Sequence, residues 1–171
     1  MKSRKLTVAL FIAYFIMLSG IILFKTRLSF TFLQYKFTFV MDVERSINLI
    51  PFGAMLYLNG RPSYNEIIYN SFAFLPFGIY ICMLGKKKSF LHLIVPLILT
   101  SLFFEVVQYI FALGASDITD VIANTFGGIA GVGIFFIFQK ICKENTRKVM
   151  NIIALILTIA LALFIGAIWI L

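Results

Sequence analysis

Residues 89–116 carry one formal charge at neutral pH, the carboxylate of Glu105. Ser101 and Gln108 share its stretch, and Asp117, Asp120 and Asn124 follow close behind. Ser101, Glu105 and Gln108 stand at i, i+4 and i+7, one face of a helix; Asp117, Asp120 and Asn124 stand at i, i+3 and i+7, again one face. Two such faces side by side would offer carboxylates for proton transfer or for pairing a cation, and amides and a hydroxyl for orienting a polar ligand. If the chemistry were catalytic, Glu105 would be the acid or base and Asp120 would position water or a divalent ion. Other chemistries find little support. His92, the single histidine, falls near the opposite end of its apolar run, and no His or Cys spacing suits zinc. Cys82 and Cys142 have no ligand spacing around them. Neither a Gly-rich phosphate loop nor a nucleophile elbow is visible, and no cofactor or metal is expected.

The elements that must hold these residues follow from composition. The 171-residue chain is 61% hydrophobic and 13% charged, with a mean hydropathy of +1.02, far above the roughly 45–50% apolar share of soluble domains. A soluble fold of this length would leave too much apolar surface in water. The expected fold is an all-α, polytopic transmembrane helix bundle forming a single membrane domain over residues 1–171. Runs of about 20 apolar residues predict spans at 6–24, 67–84, 90–113, 118–139 and 149–171. The first has a basic start and an apolar run like a signal peptide, but it is long and lacks a small-x-small cleavage site, so it is read as a retained helix.

The formal net charge of +8 invites a nucleic-acid reading, which the positions of the charges oppose. Lys2, Arg4 and Lys5 precede the first apolar run, Lys86–Lys88 separate two runs, and Lys140, Lys143, Arg147 and Lys148 separate two more. Short basic segments of this kind face the cytoplasm, which predicts an N-in, C-out topology and reduced thiols at Cys82 and Cys142. The long 25–66 loop then lies outside. Its Leu33, Tyr35, Phe37 and Phe39 alternate with Gln34, Lys36 and Thr38, the period of a strand, although Phe30, Leu33 and Phe37 also share a helix face. Its aromatic load suits a layer resting on the membrane surface, and Asn59-Gly60-Arg61-Pro62 reads as a turn.

This topology gathers the polar residues. The short Gly114–Asp117 connection makes the third and fourth spans antiparallel neighbours, and Glu105 lies about 10–12 Å below their outer end at 1.5 Å per residue. Asn70 and Ser71 begin the second span at that same level, and Arg45–Phe52 lies outside above it. Structural readings stand beside the functional one. Asp117 would cap the fourth helix, Asp120 suits the positive end of its dipole, and Asn and Gln commonly bond helix to helix. Arg45, or Arg61, would pair with Glu105. Gly127 and Gly131 form a small-xxx-small ridge for close helix packing.

The segments Arg45–Phe52 (RSINLIPF), Asn70–Gly78 (NSFAFLPFG), Ser101–Gln108 (SLFFEVVQ) and Asp117–Gly131 (DITDVIANTFGGIAG) occur in this order, and together they resemble the VanZ-like family of bacterial membrane proteins. The resemblance covers about residues 45–135. It implies a bundle of about five spans in a bacterial plasma membrane and a role in resistance to glycopeptide antibiotics of the teicoplanin type. Relatives often carry an Arg just before the Asp-x-x-Asp segment; here that stretch reads Gly114-Ala115-Ser116, so if that Arg pairs the Glu in relatives, either Arg45 does so here or Glu105 is less tied down. The expected site comprises Arg45, Asn48, Asn70, Ser101, Glu105, Gln108, Asp117, Asp120 and Asn124. It would bind a lipid headgroup, a lipid-linked wall precursor or the drug without catalysis. The alternative is an intramembrane enzyme acting on a lipid-linked envelope substrate. A transporter would need a matching polar path in the inner halves of the spans, which the sequence lacks.

Overall fold

The structure is a computed structural model that describes residues 2–24, 28–31, 36–39, 46–53, 57–58, 61–62, 64–86 and 89–170. Side chains are described over 2–23, 46–53, 64–86 and 89–160. Five long helices dominate: α1 (Arg4–Phe24), α2 (Asn65–Leu84), α3 (Phe90–Ile110), α4 (Ile118–Cys142) and α5 (Thr146–Ile170). Each apolar run of the sequence becomes one helix, because a backbone in hydrocarbon must satisfy its own N–H and C=O groups.

By length and apolarity, Arg4–Leu23, Asn65–Leu84, Phe90–Ile110 and the 43-residue run Ile118–Ala160 are able to cross a membrane. At 1.5 Å per residue the last run is about twice as long as a bilayer core is thick. It is bent back on itself. Lys143 stands at φ 48°, and a 3-10 turn over Lys143–Asn145 separates α4 from α5. Beyond the turn, Met150 and Ala154 of α5 pack with Phe135 and Phe138 of α4, as the arms of a hairpin do. A polar, charged stretch in the middle of such a run has reason to stay out of hydrocarbon, and the turn lets it.

The α1–α2 connection is extended where it is described. Strands β1 (Leu28–Thr31) and β2 (Lys36–Phe39) form an antiparallel pair with Leu28 opposite Phe39; the described part of the alternating pattern, Lys36–Phe39, is thus a strand, and its Leu33–Tyr35 part lies outside the described residues. Strand β4 (Tyr57–Leu58) pairs with β5 (Arg61–Pro62). Of the turn expected over Asn59–Pro62, Asn59 and Gly60 lie outside the described residues. A third pairing is parallel and long-range: β3 (Ile47–Asn48) runs beside β6 (Ser116–Asp117), with Asn48 opposite Asp117.

The helices alternate in direction, and the contacts at their ends show it. Arg4 at the start of α1 donates to the Leu84 carbonyl at the end of α2, and Gln108 near the end of α3 donates to the Ile22 carbonyl near the end of α1. Two chemically distinct ends result. Lys2, Arg4, Lys86, Lys143 and Arg147 gather at a basic end; Asn70, Gln108 and Asp117 gather at a polar end.

The most extensive contact in the bundle joins α2 to α4, and glycine makes it possible. A Cβ on Gly127 would land on the Ser71 carbonyl oxygen, one on Gly131 on the Leu75 carbonyl oxygen, and one on Gly78 on the Gly128 carbonyl oxygen. Gly128 itself receives the Leu97 side chain of α3. The expected Gly127/Gly131 ridge is thus used for backbone-to-backbone contact. Elsewhere the core is aromatic, with Phe74 edge-on to Phe77 and Phe104, and Phe11 and Phe15 of α1 beside Phe77.

This interface predicts a contrast within one helix. Gly131→Ala should lower stability in detergent by about 1–3 kcal/mol, because the added methyl drives two backbones apart. Gly133, whose Cβ would meet nothing within 4 Å, should tolerate the same change to within about 0.5 kcal/mol. Thermal unfolding of the two purified variants measures the difference.

Candidate functional site

The polar end is built around the turn between α3 and α4. Helix α3 stops because the Leu113 N–H bonds the Gln108 carbonyl and the Ala112 N–H bonds the Tyr109 carbonyl, with Ala112 at φ 51°. This is a Schellman ending with alanine where glycine is usual. The chain then enters β6, whose Ser116 N–H donates to the Ser46 carbonyl (2.9 Å).

Asp117 is the junction. It is the N-cap of α4, and its Oδ1 accepts the Thr119 N–H (2.7 Å). Its Oδ2 accepts from Asn48 Nδ2 (3.1 Å), and its own N–H donates to Glu105 Oε2 (2.8 Å). Asn48 also holds its own loop, its Oδ1 accepting the Ile50 N–H (3.2 Å). Glu105 is 3% exposed, and the amide it accepts sits at the positive end of α4. A buried carboxylate is stabilised there by both the hydrogen bond and the helix dipole.

A second group of bonds lies one to two turns along α4. Asn70 Nδ2 of α2 donates to Asp120 Oδ1 (2.6 Å), and Asn124 Nδ2 donates to Ser101 Oγ of α3 (2.9 Å). Gln108 Nε2 donates to the Ile22 carbonyl of α1 (3.0 Å). Asp120 and Asn124 thus reach opposite neighbours from one helix. Asn70, Asp120, Ser101, Gln108 and Asn124 are all buried. After these bonds, Gln108 Oε1, Asn124 Oδ1 and Thr125 Oγ1 are buried atoms with no hydrogen-bond partner among the described residues. Buried acceptors of this kind ordinarily find a donor.

The structure brings together eight of the nine expected site residues: Asn48, Asn70, Ser101, Glu105, Gln108, Asp117, Asp120 and Asn124. The expected pairing of Arg45 with Glu105 lies outside the described residues, as does the Arg61 side chain. Asp117 caps α4, as its structural reading expected, and adds a cross-link to Asn48. Among the described residues, no three His, Cys, Asp or Glu side chains come close enough to hold a metal ion. His92 lies at the other end of α3, exposed and bonded to Ser89.

Other participants had no assigned role in the sequence. Thr119 Oγ1 accepts the Phe52 N–H (2.9 Å), tying the loop to α4, and Ser71, expected at this level beside Asn70, donates through Oγ to the Ala123 carbonyl (3.0 Å). Thr119 is a lone hydroxyl between two acids, with no spacing to mark it. A buried pair also joins the first and last helices at the basic end, where Thr7 Oγ1 donates to Asn151 Oδ1 (3.0 Å). A lone Asn in a 20-residue apolar run is itself a signal of an interhelical bond, and it was available in the sequence.

The fold and this knot define a polytopic membrane helix bundle with a hydrogen-bonded polar cluster buried at one end. Comparison with known proteins places it further: the chain belongs to the VanZ family, with the VanZ/LLP1 family model matching residues 11–139. It is 36% identical over 141 residues to Protein VanZ of Enterococcus faecium, which covers 82% of this chain and 78% of that one. No solved structure matches the chain. All nine expected site residues fall within the matched region, and the kinship supports a VanZ-like role in antibiotic resistance.

Two stability measurements follow from the knot. In a double-mutant cycle, Asn70→Ala and Asp120→Ala should couple by roughly 1 kcal/mol or more, as contacting hydrogen-bonded residues do; additive losses would mean that the pair does not interact. Ala112→Gly should raise stability by about 1 kcal/mol, because the left-handed φ costs alanine what it does not cost glycine.

Proposed function

We propose that this chain is a multi-pass protein of the bacterial plasma membrane, with its polar end outward and its basic end in the cytoplasm. In this reading it reduces the action of a teicoplanin-type glycopeptide by binding, without catalysis, at the polar end. The ligand is a lipid headgroup, a lipid-linked wall precursor or the drug, all of which present hydroxyl or amide donors. One observation carries the reading. Four separate segments meet at that end in a buried knot, and three buried acceptors, Gln108 Oε1, Asn124 Oδ1 and Thr125 Oγ1, remain without a donor among the described residues. The family kinship supports the resistance role. The gathering of Lys2, Arg4, Lys86, Lys143 and Arg147 at the opposite end supports the orientation, through the positive-inside rule.

Glu105 Oε2 accepts from the Asp117 amide and Asp120 Oδ1 accepts from Asn70, so both acids take part in holding this end of the bundle together, and the enzyme alternative is decided by experiment.

The test is teicoplanin susceptibility in a host expressing the chain, with membrane levels matched between variants. The wild type should raise the inhibitory concentration. Gln108→Leu and Asn124→Leu should each weaken ligand binding by about tenfold, as loss of a buried hydrogen bond does, and return cells toward the empty-vector level. Resistance intact in both variants, or absent in the wild type, overturns the proposal. Glu105→Gln distinguishes the enzyme alternative, since it removes proton transfer while keeping size and the acceptor oxygen. Resistance retained in that variant excludes Glu105 as acid or base. A cysteine placed at Ser116 in a chain lacking Cys82 and Cys142 should react with an impermeant thiol reagent from outside the cell; reaction only from the cytosol reverses the orientation.

A further inference from the structure

The basic end holds a second cavity that the resistance reading does not use. It is a polar cleft of about 380 Å³, bounded by the starts of α1 and α5 and the ends of α2 and α4. Lys2, Lys143 and Arg147 line it, with Gln139 and the buried Thr146, against one acid, Glu144. Arg147 is held at the wall by donating through Nη2 to the Met83 carbonyl at the end of α2 (3.2 Å). Helix C-termini attract cations, so the last carbonyls of α2 help to keep this charge in place. The cleft therefore has a cationic lining and the size of a headgroup or small-ligand site.

An apolar groove of about 390 Å³ lies between α1, α2, α4 and α5. Leu18, Ile79, Phe138, Ile153 and Leu157 are among its walls, and Met83 belongs to both the groove and the cleft. On α4 the groove residue Phe138 adjoins the cleft residue Gln139. On α5 the groove residue Met150 is one turn from Thr146. Charge at one end and a chain-sized apolar space beyond it match an amphiphile with an anionic head. We infer that this composite site takes one anionic glycerophospholipid, its phosphate among Lys2, Lys143 and Arg147 and one acyl chain along the groove. A free phosphate has no use for the groove, and a zwitterionic lipid gains less from three cations facing one acid. Basic pockets between helices at a cytoplasmic surface recognise anionic lipid by this same combination. The site is separate from the Glu105 knot, so it stands or falls independently of the resistance role.

The test uses the purified full-length protein in detergent, titrated with phosphatidylglycerol or phosphatidylcholine and read by native mass spectrometry, with thermal stability followed in parallel. The wild type should favour phosphatidylglycerol by about tenfold or more, a preference consistent with two or three surface cations each contributing to binding. Lys2 and Lys143 are both exposed, so a Lys2→Gln/Lys143→Gln double variant should fold normally and lose most of that preference, with phosphatidylcholine binding unchanged. Ala154→Phe, which fills the groove from α5, should weaken both lipids together. Equal affinity for the two lipids in the wild type overturns the inference, as does a full preference in the double variant. Inorganic phosphate stabilising the protein as well as phosphatidylglycerol does would show a headgroup-only site, and tighter binding of undecaprenyl phosphate would show an isoprenoid occupant; either result overturns the assignment.

Discussion

In hydrocarbon a polar side chain is tolerated only where another polar group reaches it, and here that reach depends on how closely two backbones approach. Helices α2 and α4 touch along Gly78, Gly127 and Gly131, with the carbonyls of Ser71, Leu75 and Gly128 occupying the space where methyl groups would stand. At that separation Asn70, a short side chain, spans the gap to Asp120, and Ser71 reaches the Ala123 carbonyl. Larger residues at these glycines would push Asp120 out of reach and leave a carboxylate near the bilayer with less support, at a cost of several kcal/mol. The packing of apolar helices and the survival of the acids are thus one constraint. This also gives a physical reason for the Pro76-Phe77-Gly78 and Gly127-Gly128 segments to accompany the acids in a single sequence pattern.

Asp117 carries the constraint outward from the helices to the loop. Its carboxylate caps α4 and receives Asn48, while its amide serves Glu105. One residue therefore ties the sequence-distant 46–53 segment to the adjoining ends of α3 and α4. Bonds to charged acceptors are worth about 1.5–3 kcal/mol each, so the junction is strong enough to define where the 46–53 segment sits on the bundle. Phe52 adds a second tie, its amide reaching Thr119. The described 46–53 segment is thus tied to the bundle by side-chain as well as backbone bonds.

Much of this was legible in the sequence, and the limits are physical. Apolar runs of about 20 residues marked the helices because the bilayer sets that length, and α3 falls three residues short of its run only because the Schellman turn at Ala112 begins early. Asp117 was readable as a cap from its place before an apolar run, and Gly127/Gly131 as a packing ridge from their spacing. The pairings were not readable. Helical periodicity put Asp120 and Asn124 on one face, yet it gave no way to tell that they would turn to different neighbours, Asn70 on α2 and Ser101 on α3. The β3–β6 pairing joins residues with only two positions of contact and no alternating pattern, so it left no trace in the sequence. Thr7 and Asn151 stand 144 residues apart, so although the lone Asn signals an interhelical bond, nothing in the sequence names its partner.

The placement of buried polar groups also bears on what kind of membrane protein this is. At the polar end they run from Asn70 and Gln108 to Ser101 and Asn124; at the basic end they are Thr7, Thr146 and Asn151. Between these layers the interior is filled by Leu18, Phe74, Phe77, Leu97 and Phe104, rings and branched chains packed against one another. Among the described residues this layer offers little polar beyond the Tyr14 hydroxyl, which is already bonded to the Ala73 carbonyl, and the buried Tyr80 beside it, whereas transporters place discontinuous helices and polar ligands at the midplane. Helices α2 and α3 contain Pro76 and Pro96, yet each remains continuous through its proline, so neither offers the unwound backbone that such a site uses. Among the described residues the buried polar side chains thus concentrate toward the two ends of the bundle, a hydrogen-bonding knot at one and a basic cleft at the other, and these ends are where the two proposed ligands are placed.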